Sequence, residues 1–457
     1  MRLSRFLALL AVAALAGPAG AAGAPSRWQL PVETKTFPNG LTVVVSEDHT
    51  APTFGLCIAY RIGFRLEPRG RTGFAHLFEH MMFEGTPDAP KGIFERVIEG
   101  GGGVNNGSTR YDYTNYIETA PVSALDAILW LEADRMKTLD FSEKNLKNQQ
   151  EVVKEEIRVN VKNQPYGLFF WTDVAGKAFD KWENAHDGYG SFADLDAAKL
   201  ADVEGFFKSY YGPNNAVLAI VGDVTPQEVF AKIEKYFGGI PARPTPPPPD
   251  VSEGLNTAER SLEETDPLAK VPAVAVGWKM PARGSRDQVP MAVLSDLLVG
   301  GEASRFYQGL VKGKQILLNV EGGMNWPLGD PWTYNGPTLF TVFALYKPST
   351  DAKAVVAAMD EGIRAVAQHG VGAEELQRTK TQMISDLYSD LELPLSRATA
   401  LCLAQLFTGN AGSLNELPAA IGAVTSADLQ RVATTYLTAA NRTVVDRKPA
   451  PAAAAKK

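Results

Sequence analysis

The chain has 457 residues, more than one hydrophobic core usually organises, so two or more domains are expected. Hydrophobic residues make up 45% and charged residues 21%, an ordinary balance for a soluble globular protein, and the net charge of −7 argues against a nucleic-acid-binding surface. Two cysteines, Cys57 and Cys402, are too few for a disulfide framework or a thiolate zinc site. Because they lie far apart in the sequence, a single bridge between them is not favoured.

The N-terminus has the pattern of a secretory signal peptide. Arg2 and Arg5 precede an uncharged run over residues 6–17, and a small-residue stretch with Ala19-Gly20-Ala21 follows. The apolar run is shorter than the roughly 20 residues that span a bilayer. We therefore expect residues 1–21 to be removed and the mature protein to be exported, not integral to the membrane. The alanine-rich cleavage region is compatible with a bacterial periplasm.

Strand-like and helix-like segments then alternate along the chain. The sequence predicts strands at residues 41–46, 54–60, 217–221, 271–278 and 339–345, from their β-branched and apolar content. Helical periodicity predicts helices at residues 123–139, 142–162 and 287–298 and several more up to Leu437, with Ser123 and Ser142 as N-caps.

The proline-rich stretch 241–250 can form neither helix nor sheet and predicts a stiff interdomain linker. We place the N-terminal domain at residues 22–240, the linker at 241–260 and the C-terminal domain at 261–446. The remaining residues, 447–457, are predicted to be a disordered tail.

The two halves carry the same spaced residues. Asp202, Tyr210 and Asn215 are separated by 8 and 5 positions, and the same spacing recurs 226 residues later in Asp428, Tyr436 and Asn441. In both copies a helix with apolar residues leads through the asparagine into an apolar strand. The pattern favours an ancient duplication and therefore two α+β domains of similar plan.

The stretch Gly73–Phe83 contains the sequence His76-Leu-Phe-Glu79-His80. On a helix the two histidines are one turn apart on one face, with Glu79 beside them. Two such imidazoles can bind one zinc ion and leave the carboxylate close enough to take a proton from the hydrolytic water. This is the H-x-x-E-H order. The alternative is a pair of core histidines with a surface glutamate.

A catalytic zinc needs a third protein ligand and an open position. The predicted helix at 142–162 supplies three candidate carboxylates, Glu151, Glu155 and Glu156, and periodicity does not choose among them.

The chain resembles the pitrilysin and mitochondrial-processing-peptidase-like zinc peptidases, the inverzincins, over nearly the whole mature length. In that family the ligand glutamate lies about 76 residues beyond the second histidine, on a helix reading like E-R-x-V-V-x-E-E. Residues 152–156, Val-Val-Lys-Glu-Glu, fit that register. The resemblance therefore implies that Glu156 is the third ligand, with one zinc per chain because the second half lacks the motif. It also implies two similar domains, each a mostly antiparallel sheet packed with helices, and Glu79 as the catalytic base.

One departure from the family pattern lies in the surroundings of the metal. Seven residues before the ligand, where the family often has another glutamate, the chain has Gln149. The change removes a negative charge near the ligands and could alter their basicity.

The stretch 105–116 resembles the family's substrate-binding edge strand, which pairs with an extended peptide. An exposed edge offers unpaired amides and carbonyls to such a chain. On pattern alone an ordinary hairpin remains open, since Asn-Gly is a strong turn signal. The residues that match the family pattern are Asn106, Gly107, Thr109, Thr114 and Tyr116, of which we expect the first three to contact substrate.

The second half lacks another family feature, an arginine and a tyrosine seven residues apart that help to bind substrate. In the corresponding stretch, 304–318, those positions are Val311 and Leu318, and the nearby Arg305 and Tyr307 are out of register. Two-subunit members of the family divide the zinc and this pair between homologous chains. The resemblance therefore implies a zinc-dependent endopeptidase acting on unfolded peptides within a heterodimer. The alternative is a non-catalytic zinc-binding subunit for peptide capture or assembly.

Overall fold

The computed structural model describes residues 29–451, so the predicted signal peptide and the last six residues lie outside the described residues. Strands from this part of the chain form two sheets. In chain order the strands are β1 (Glu33–Thr36), β2 (Thr42–Glu47), β3 (Thr53–Tyr60), β4 (Val104–Thr109), β5 (Thr114–Pro121), β6 (Ala216–Gly222), β7 (Arg260–Asp266), β8 (Ala273–Lys279), β9 (Leu317–Met324), β10 (Leu339–Tyr346) and β11 (Arg442–Pro449).

Helices surround both sheets. In the first half they are α1 (Phe74–Met81), α2 (Ile93–Gly100), α3 (Leu125–Lys137), α4 (Glu143–Ile157), α5 (Val174–Ala178), α6 (Trp182–Ala185), α7 (Phe192–Ala197), α8 (Leu200–Tyr210) and α9 (Pro226–Phe237). In the second half they are α10 (Gln288–Val299), α11 (Ala352–His369), α12 (Ala373–Asp390), α13 (Pro394–Thr408), α14 (Leu417–Ala423) and α15 (Ser426–Tyr436). Short π-helical and 3₁₀ segments connect several of them.

The two sheets share one topology, which confirms the predicted α+β fold of two similar domains. The first sheet has the order β1-β2-β6-β3-β5-β4 and the second the order β7-β11-β8-β10-β9. Without β1, each strand of the first sheet has a counterpart in the second. In both, one parallel pair (β2 with β6, β7 with β11) is followed by antiparallel neighbours only.

The repeated asparagines make the same contacts in both halves. Asn215 donates to the carbonyl of Tyr210, and Asn441 donates to the carbonyl of Tyr436, each at 2.8 Å. Each amide therefore closes the end of a helix, α8 or α15, shortly before strand β6 or β11. This shared hydrogen bond explains the repeated spacing in the sequence.

The repeated aspartates lie at the opposite ends of the same two helices. Asp202 accepts a hydrogen bond from the backbone amide of Lys199, and Asp428 accepts one from that of Thr425, each at 3.0 Å. Both carboxylates stabilise the first turn of a helix, where backbone amides lack partners within the helix.

In each half, one helix packs on the sheet of the other half. On the front of the first sheet, its own helices α1, α3, α4, α8 and α9 form the main core. The back is covered by α13 from the second half. Reciprocally, α5 from the first half packs on the back of the second sheet, against β8 and β11. Because both faces of each sheet are covered, the central strands β6 and β8 are buried along their whole length.

Two boundaries differ from the sequence predictions. Ser123 is not the N-cap of α3, which begins at Leu125 after a 3₁₀ turn, whereas Ser142 does cap α4 by accepting from the amide of Asn145. The predicted disordered tail begins too early, because β11 continues to Pro449. Arg447 is anchored there by an ion pair with Asp173 of the first half.

Residues 241–259 contain neither helix nor strand, as the proline-rich composition predicts. Within residues 29–451, no helix combines the length and the apolar character needed to cross a bilayer.

Candidate metal centre

Helix α1 carries the H-x-x-E-H residues, and a glycine, Gly73, immediately precedes it as the N-cap. Gly73 adopts a left-handed conformation with φ +79°, which a residue with a side chain adopts only at a cost. A Cβ at this position would also lie 2.4 Å from the carbonyl oxygen of Tyr189. The glycine therefore lets the segment that carries Tyr189 pack closely on the start of α1.

The structure brings His76, His80 and Glu156 together. The two Nε2 atoms are 3.2 Å apart, and Oε2 of Glu156 lies 3.7 Å from Nε2 of His76 and 3.2 Å from Nε2 of His80. Among residues 29–451 these three are the one group of at least three histidine, cysteine, aspartate or glutamate side chains able to share a metal ion. Helix α4, which lies beside α1, supplies the carboxylate.

The donor set fits zinc. Ligands at about 2.0–2.1 Å from a tetrahedral zinc are separated from each other by about 3.3 Å. The observed separations of 3.2, 3.7 and 3.2 Å are close to that value. Three protein ligands of nitrogen and oxygen type leave a fourth position for water or substrate, as in a catalytic zinc site.

The charges around the three groups also suit a cation. Burial, followed by the charge of His80, lowers the pKa of His76 to about 4, so its imidazole is neutral and free to bind a metal. Although burial favours the neutral carboxyl, the hydrogen bonds from His80 and Tyr189 help to lower the pKa of Glu156 to about 2. The carboxylate is therefore ionised across the whole neutral range.

Glu79 lies beside the three residues and is held from the neighbouring strand. Its Oε2 accepts a hydrogen bond of 2.5 Å from the hydroxyl of Thr109 on β4. Burial raises the pKa of Glu79, and the hydrogen bond from Thr109 partly opposes that shift. A raised pKa makes a carboxylate a better proton acceptor near neutral pH.

The strand β4 is the edge of the first sheet, and no further strand lies beyond it among the described residues. Asn106 and Gly107 lie within β4, not in a turn, because the hairpin to β5 turns at residues 110–113. Asn106 is exposed, while Thr109 at the end of the strand is buried against Glu79. Within the stretch 105–116, β4 is therefore an edge strand and also one arm of a hairpin with β5, but Asn106-Gly107 is not its turn.

Gly107 leaves space for the carboxylate of Glu79. A Cβ at Gly107 would lie 3.0 Å from Oε1 of Glu79 and 3.2 Å from the ring of Phe83. We expect Gly107→Ala to displace Glu79 and to lower peptide hydrolysis by about 10- to 100-fold, with zinc binding unchanged. Steady-state kinetics and metal analysis measure both quantities. Gly100→Ala is the matched control, because a Cβ there meets nothing within 4 Å; equal activity of the two variants would contradict the prediction.

The two other candidate carboxylates on α4 point away from the centre. Glu151 pairs with Lys154 at 2.7 Å, and Glu155 pairs with Arg158 at 2.8 Å. Both side chains are largely exposed, at 61% and 64%, whereas Glu156 is 29% exposed.

Gln149 is buried two turns before Glu156, on the same face of α4. Its amide nitrogen donates to Glu84, a buried carboxylate that also pairs with Lys91. Burial lowers the pKa of His80, but Glu156 and Glu79 raise it by more. A contact with Gln149 adds to that rise. The glutamine therefore links a nearby carboxylate to the second histidine.

Tyr189 belongs to the site but is not marked by any sequence pattern. Its hydroxyl donates to Oε1 of Glu156 at 2.9 Å, and its ring packs edge-on against His76 with centroids 4.9 Å apart. The tyrosine thus holds the carboxylate by its outer oxygen and leaves Oε2 facing the histidines. A partner of this kind orients a metal ligand.

Glu67 and His186 form a second group that sequence reasoning missed. Glu67 is buried and accepts from the amides of Gly73 at 3.0 Å and Ala75 at 2.8 Å, in the first turn of α1. His186 binds the same carboxyl group at 3.0 Å and stacks on Trp182. Burial raises the pKa of Glu67 to about 7, against the effect of His186. The pair fixes the start of the helix that carries the histidines.

We expect Glu67→Ala to lower the free energy of unfolding by about 1–3 kcal/mol, because it leaves two backbone amides of α1 and a buried imidazole without their acceptor. Chemical denaturation measures the change. Glu33→Ala, at an exposed position on β1, is the control and is expected to stay within about 0.5 kcal/mol of the parent. If the two variants unfold at the same denaturant concentration, the carboxylate does not stabilise α1.

The stretch that corresponds to the family's arginine–tyrosine pair is occupied by apolar residues. Leu318 is 47% exposed on β9, and Val311 packs against the second core. The nearby Arg305 makes a two-pronged ion pair with Glu375, with both distances 2.8 Å, and Tyr307 donates to Glu302. These two side chains are therefore engaged within their own half.

Comparison with known proteins finds relatives over most of the chain. A profile described as "Insulinase (Peptidase family M16)" matches residues 42–169, and one described as "Peptidase M16 inactive domain" matches residues 197–383. The chain is similar to zinc protease PqqE of Helicobacter pylori, with 28% identity over 420 residues, 91% of this chain and 93% of that protein. It is 24% identical to a probable mitochondrial-processing peptidase subunit beta of Arabidopsis thaliana, over 88% of this chain and 75% of that one.

The solved structures give the same result. The crystal structure of a protease from Helicobacter pylori superposes with a TM-score of 0.85 and 27% identity, covering 92% of this chain and 100% of that one. The profiles of both halves, the named relatives and the shared fold agree, so the chain belongs to the M16 peptidase family, the pitrilysin and mitochondrial-processing-peptidase-like family that its sequence resembles.

Proposed function

We propose that this protein is a zinc-dependent endopeptidase that hydrolyses unfolded peptides, with one zinc per chain. The observation that carries the proposal is the convergence of Nε2 of His76, Nε2 of His80 and Oε2 of Glu156 beside a buried carboxylate that is not itself one of the three. A purely structural site has no use for that extra carboxylate next to an open position. The relatives named zinc protease support the same metal and the same reaction class.

Strand β4 supplies the means of holding a peptide. An extended chain that adds to this edge pairs with backbone groups, so recognition depends little on its side chains. Asn106, Gly107 and Thr109 lie along this edge, and Thr109 touches Glu79 directly. A peptide paired with β4 is therefore positioned next to Glu79. Because such pairing needs a free extended backbone, unfolded segments are the expected substrates.

Each residue of the site has a separate role in the proposed hydrolysis. When bound, zinc polarises the scissile carbonyl and lowers the pKa of water toward about 7. Glu79 accepts the proton of the attacking water and returns it to the leaving amine. Thr109 keeps the carboxylate of Glu79 turned toward β4. Tyr189 keeps Glu156 turned toward the histidines.

Metal removal tests the proposal. We expect the purified protein to contain one zinc per chain and to digest an unfolded peptide. A chelator should abolish digestion, and added zinc should restore it. Elemental analysis and a peptide-digestion assay give both readouts. Protein that is saturated with zinc but shows no digestion, with or without a co-expressed homologous partner, would contradict an enzymatic role.

We further propose a heterodimer with a homologous subunit that carries an arginine–tyrosine pair. The supporting observation is that positions 311 and 318 are Val and Leu, while Arg305 is committed to Glu375. Co-expression with a homologue from the same genome that has the pair is expected to raise peptide digestion well above that of the chain alone. Full activity of a purified homodimer would contradict the division of labour.

A second candidate function is zinc-dependent peptide capture without cleavage. The same absence of the arginine–tyrosine pair at positions 311 and 318 favours it. It predicts that the protein binds unfolded peptide and releases it intact. Analysis of the bound peptide by mass spectrometry separates the two functions.

We also propose that the protein is exported, in a bacterium to the periplasm. The support is the basic, apolar and small-residue order of residues 1–21. N-terminal sequencing of the mature protein from its native cell is expected to begin at residue 22. A mature chain that begins at Met1 would contradict export by this route.

A further inference from the structure

The two cysteines of the chain meet at the contact between the two halves. Cys57 lies on β3 in the first half and Cys402 on α13 in the second, and both are fully buried. They belong to one apolar cluster on the back of the first sheet. Burial raises the pKa of the Cys402 thiol, and the nearby Cys57 thiol adds to that rise. Their separation of 345 residues in the sequence is therefore bridged by the packing of α13.

Small residues let α13 approach the sheet closely. Gly55, Cys57 and Ala59 alternate along the face of β3 that points to α13. A Cβ at Gly55 would lie 2.5 Å from the Cα of Leu395 in the first turn of the helix, so the two backbones are in contact there. Cys402 lies two turns after Leu395, on the same face of the helix.

Helix α13 also lies close to the first sheet at the position of the cysteines. The thiol of Cys402 donates to the carbonyl of Val217 on β6 at 3.3 Å, so it reaches the backbone of the sheet. In the strand register Val217 pairs with Ala59, and Cys57 pairs with Ala219 one step further along the same face. Cys402 therefore reaches the Ala59–Val217 step of the sheet, and Cys57 occupies the next step on the same face.

We infer that Cys57 and Cys402 are the site of a disulfide bond that joins β3 to α13 and so ties the two halves together. The sequence distance made this pairing unfavoured, and the three-dimensional contact reverses that expectation. The bond would span the proline-rich linker and would not involve any residue of the metal centre. It therefore stands independently of the proposed peptidase activity.

The chemistry needs a disulfide as oxidant, for which oxidised glutathione serves as the probe. The thiolate of one cysteine attacks the glutathione disulfide, releasing one glutathione thiol and forming a mixed disulfide. The second cysteine attacks the protein sulfur of that intermediate, forming the Sγ–Sγ bond and releasing the second glutathione thiol. Two cysteine thiols lose two electrons and two protons, which the two glutathione molecules take up.

Burial determines when the exchange happens. Desolvation raises the pKa of Cys402, so the folded protein offers no reactive thiolate to a soluble disulfide. The bond therefore forms before α13 has finished docking on the first sheet. Once formed, the same burial protects it from reducing agents.

The test uses the full chain, unfolded in reductant and refolded with either oxidised or reduced glutathione. Circular dichroism and gel filtration select natively folded molecules. These are then denatured and reacted with a maleimide, and they are also digested without reduction for mass spectrometry. We expect two reactive thiols per chain after refolding with reduced glutathione. After refolding with oxidised glutathione we expect none, together with a linked peptide pair containing Cys57 and Cys402.

Cys57→Ser and Cys402→Ser are the matched controls, and each should keep one reactive thiol or carry one glutathione. Two free thiols in native wild-type protein refolded with oxidised glutathione would overturn the inference. So would a glutathione adduct on each cysteine, or a bond found only in molecules without native structure. Since the decisive measurement is made on the wild type, the result does not depend on whether the variants fold.

Discussion

Replacing Glu79 with glutamine is expected to lower peptide hydrolysis by about 100- to 10,000-fold, the usual contribution of a general acid–base group. Glutamine has nearly the same shape and can still accept the hydrogen bond that Thr109 donates. It cannot accept a proton from water. The variant should therefore keep the structure of the site and lose the step that the carboxylate performs.

Zinc content is the second readout for this variant. Because Glu79 is not one of the three converging ligands, Glu79→Gln should bind zinc as the parent does. Glu99→Gln, an exposed change at the end of the neighbouring helix α2, serves as the control and should leave both zinc and activity unaltered. Activity retained in Glu79→Gln would remove Glu79 from the role of base. Loss of the metal would show instead that Glu79 is a ligand.

Glu156→Ala is expected to weaken zinc binding by more than about 100-fold and to abolish hydrolysis. Loss of a residue that only orients a ligand typically costs 10- to 100-fold in metal affinity, and loss of a ligand itself should cost more. The change leaves two imidazoles to hold the metal. It also leaves the hydroxyl of Tyr189 without its acceptor at Glu156.

The neighbouring residue provides a matched control on the same helix. Glu155 carries the same charge, but its side chain is 64% exposed and pairs with Arg158. Competition with a chromogenic chelator measures the zinc dissociation constants of Glu156→Ala, Glu155→Ala and the parent. Glu155→Ala should match the parent. Equal weakening in both variants would indicate a general effect of charge on α4 and would exclude Glu156 as a specific ligand.

The short-range part of the candidate site is predictable from the sequence for a simple geometric reason. Residues four apart on a helix lie on one face, so His76 and His80 are neighbours in any fold that makes residues 74–81 helical. Which glutamate of α4 is the third ligand (Glu151, Glu155 or Glu156) does not follow from local geometry. It depends on how α4 is rotated against α1, which periodicity left open and the family register resolved.

Other parts of the site have no local signature. Tyr189 and His186 reach Glu156 and Glu67 from a segment that follows α1 at a long distance in the sequence. Glu67 lies shortly before α1, but nothing around it indicates that it is buried against the start of that helix. A single tyrosine, glutamate or histidine in such a loop looks the same whether it faces solvent or a metal ligand. Only the packing of the loops on α1 shows which of them act together.

The sequence by itself determined the two-domain α+β plan, the helical pair of histidines and the duplicated aspartate, tyrosine and asparagine positions. Each of these follows from periodicity, spacing or a short-range hydrogen bond, and such features act within one or two elements. Tertiary structure alone decided that α13 covers the first sheet and α5 the second, and that Cys57 and Cys402 share one buried cluster. These contacts join residues from different halves of the chain. They arise from the burial of whole apolar faces, which is non-directional and leaves no local pattern to read.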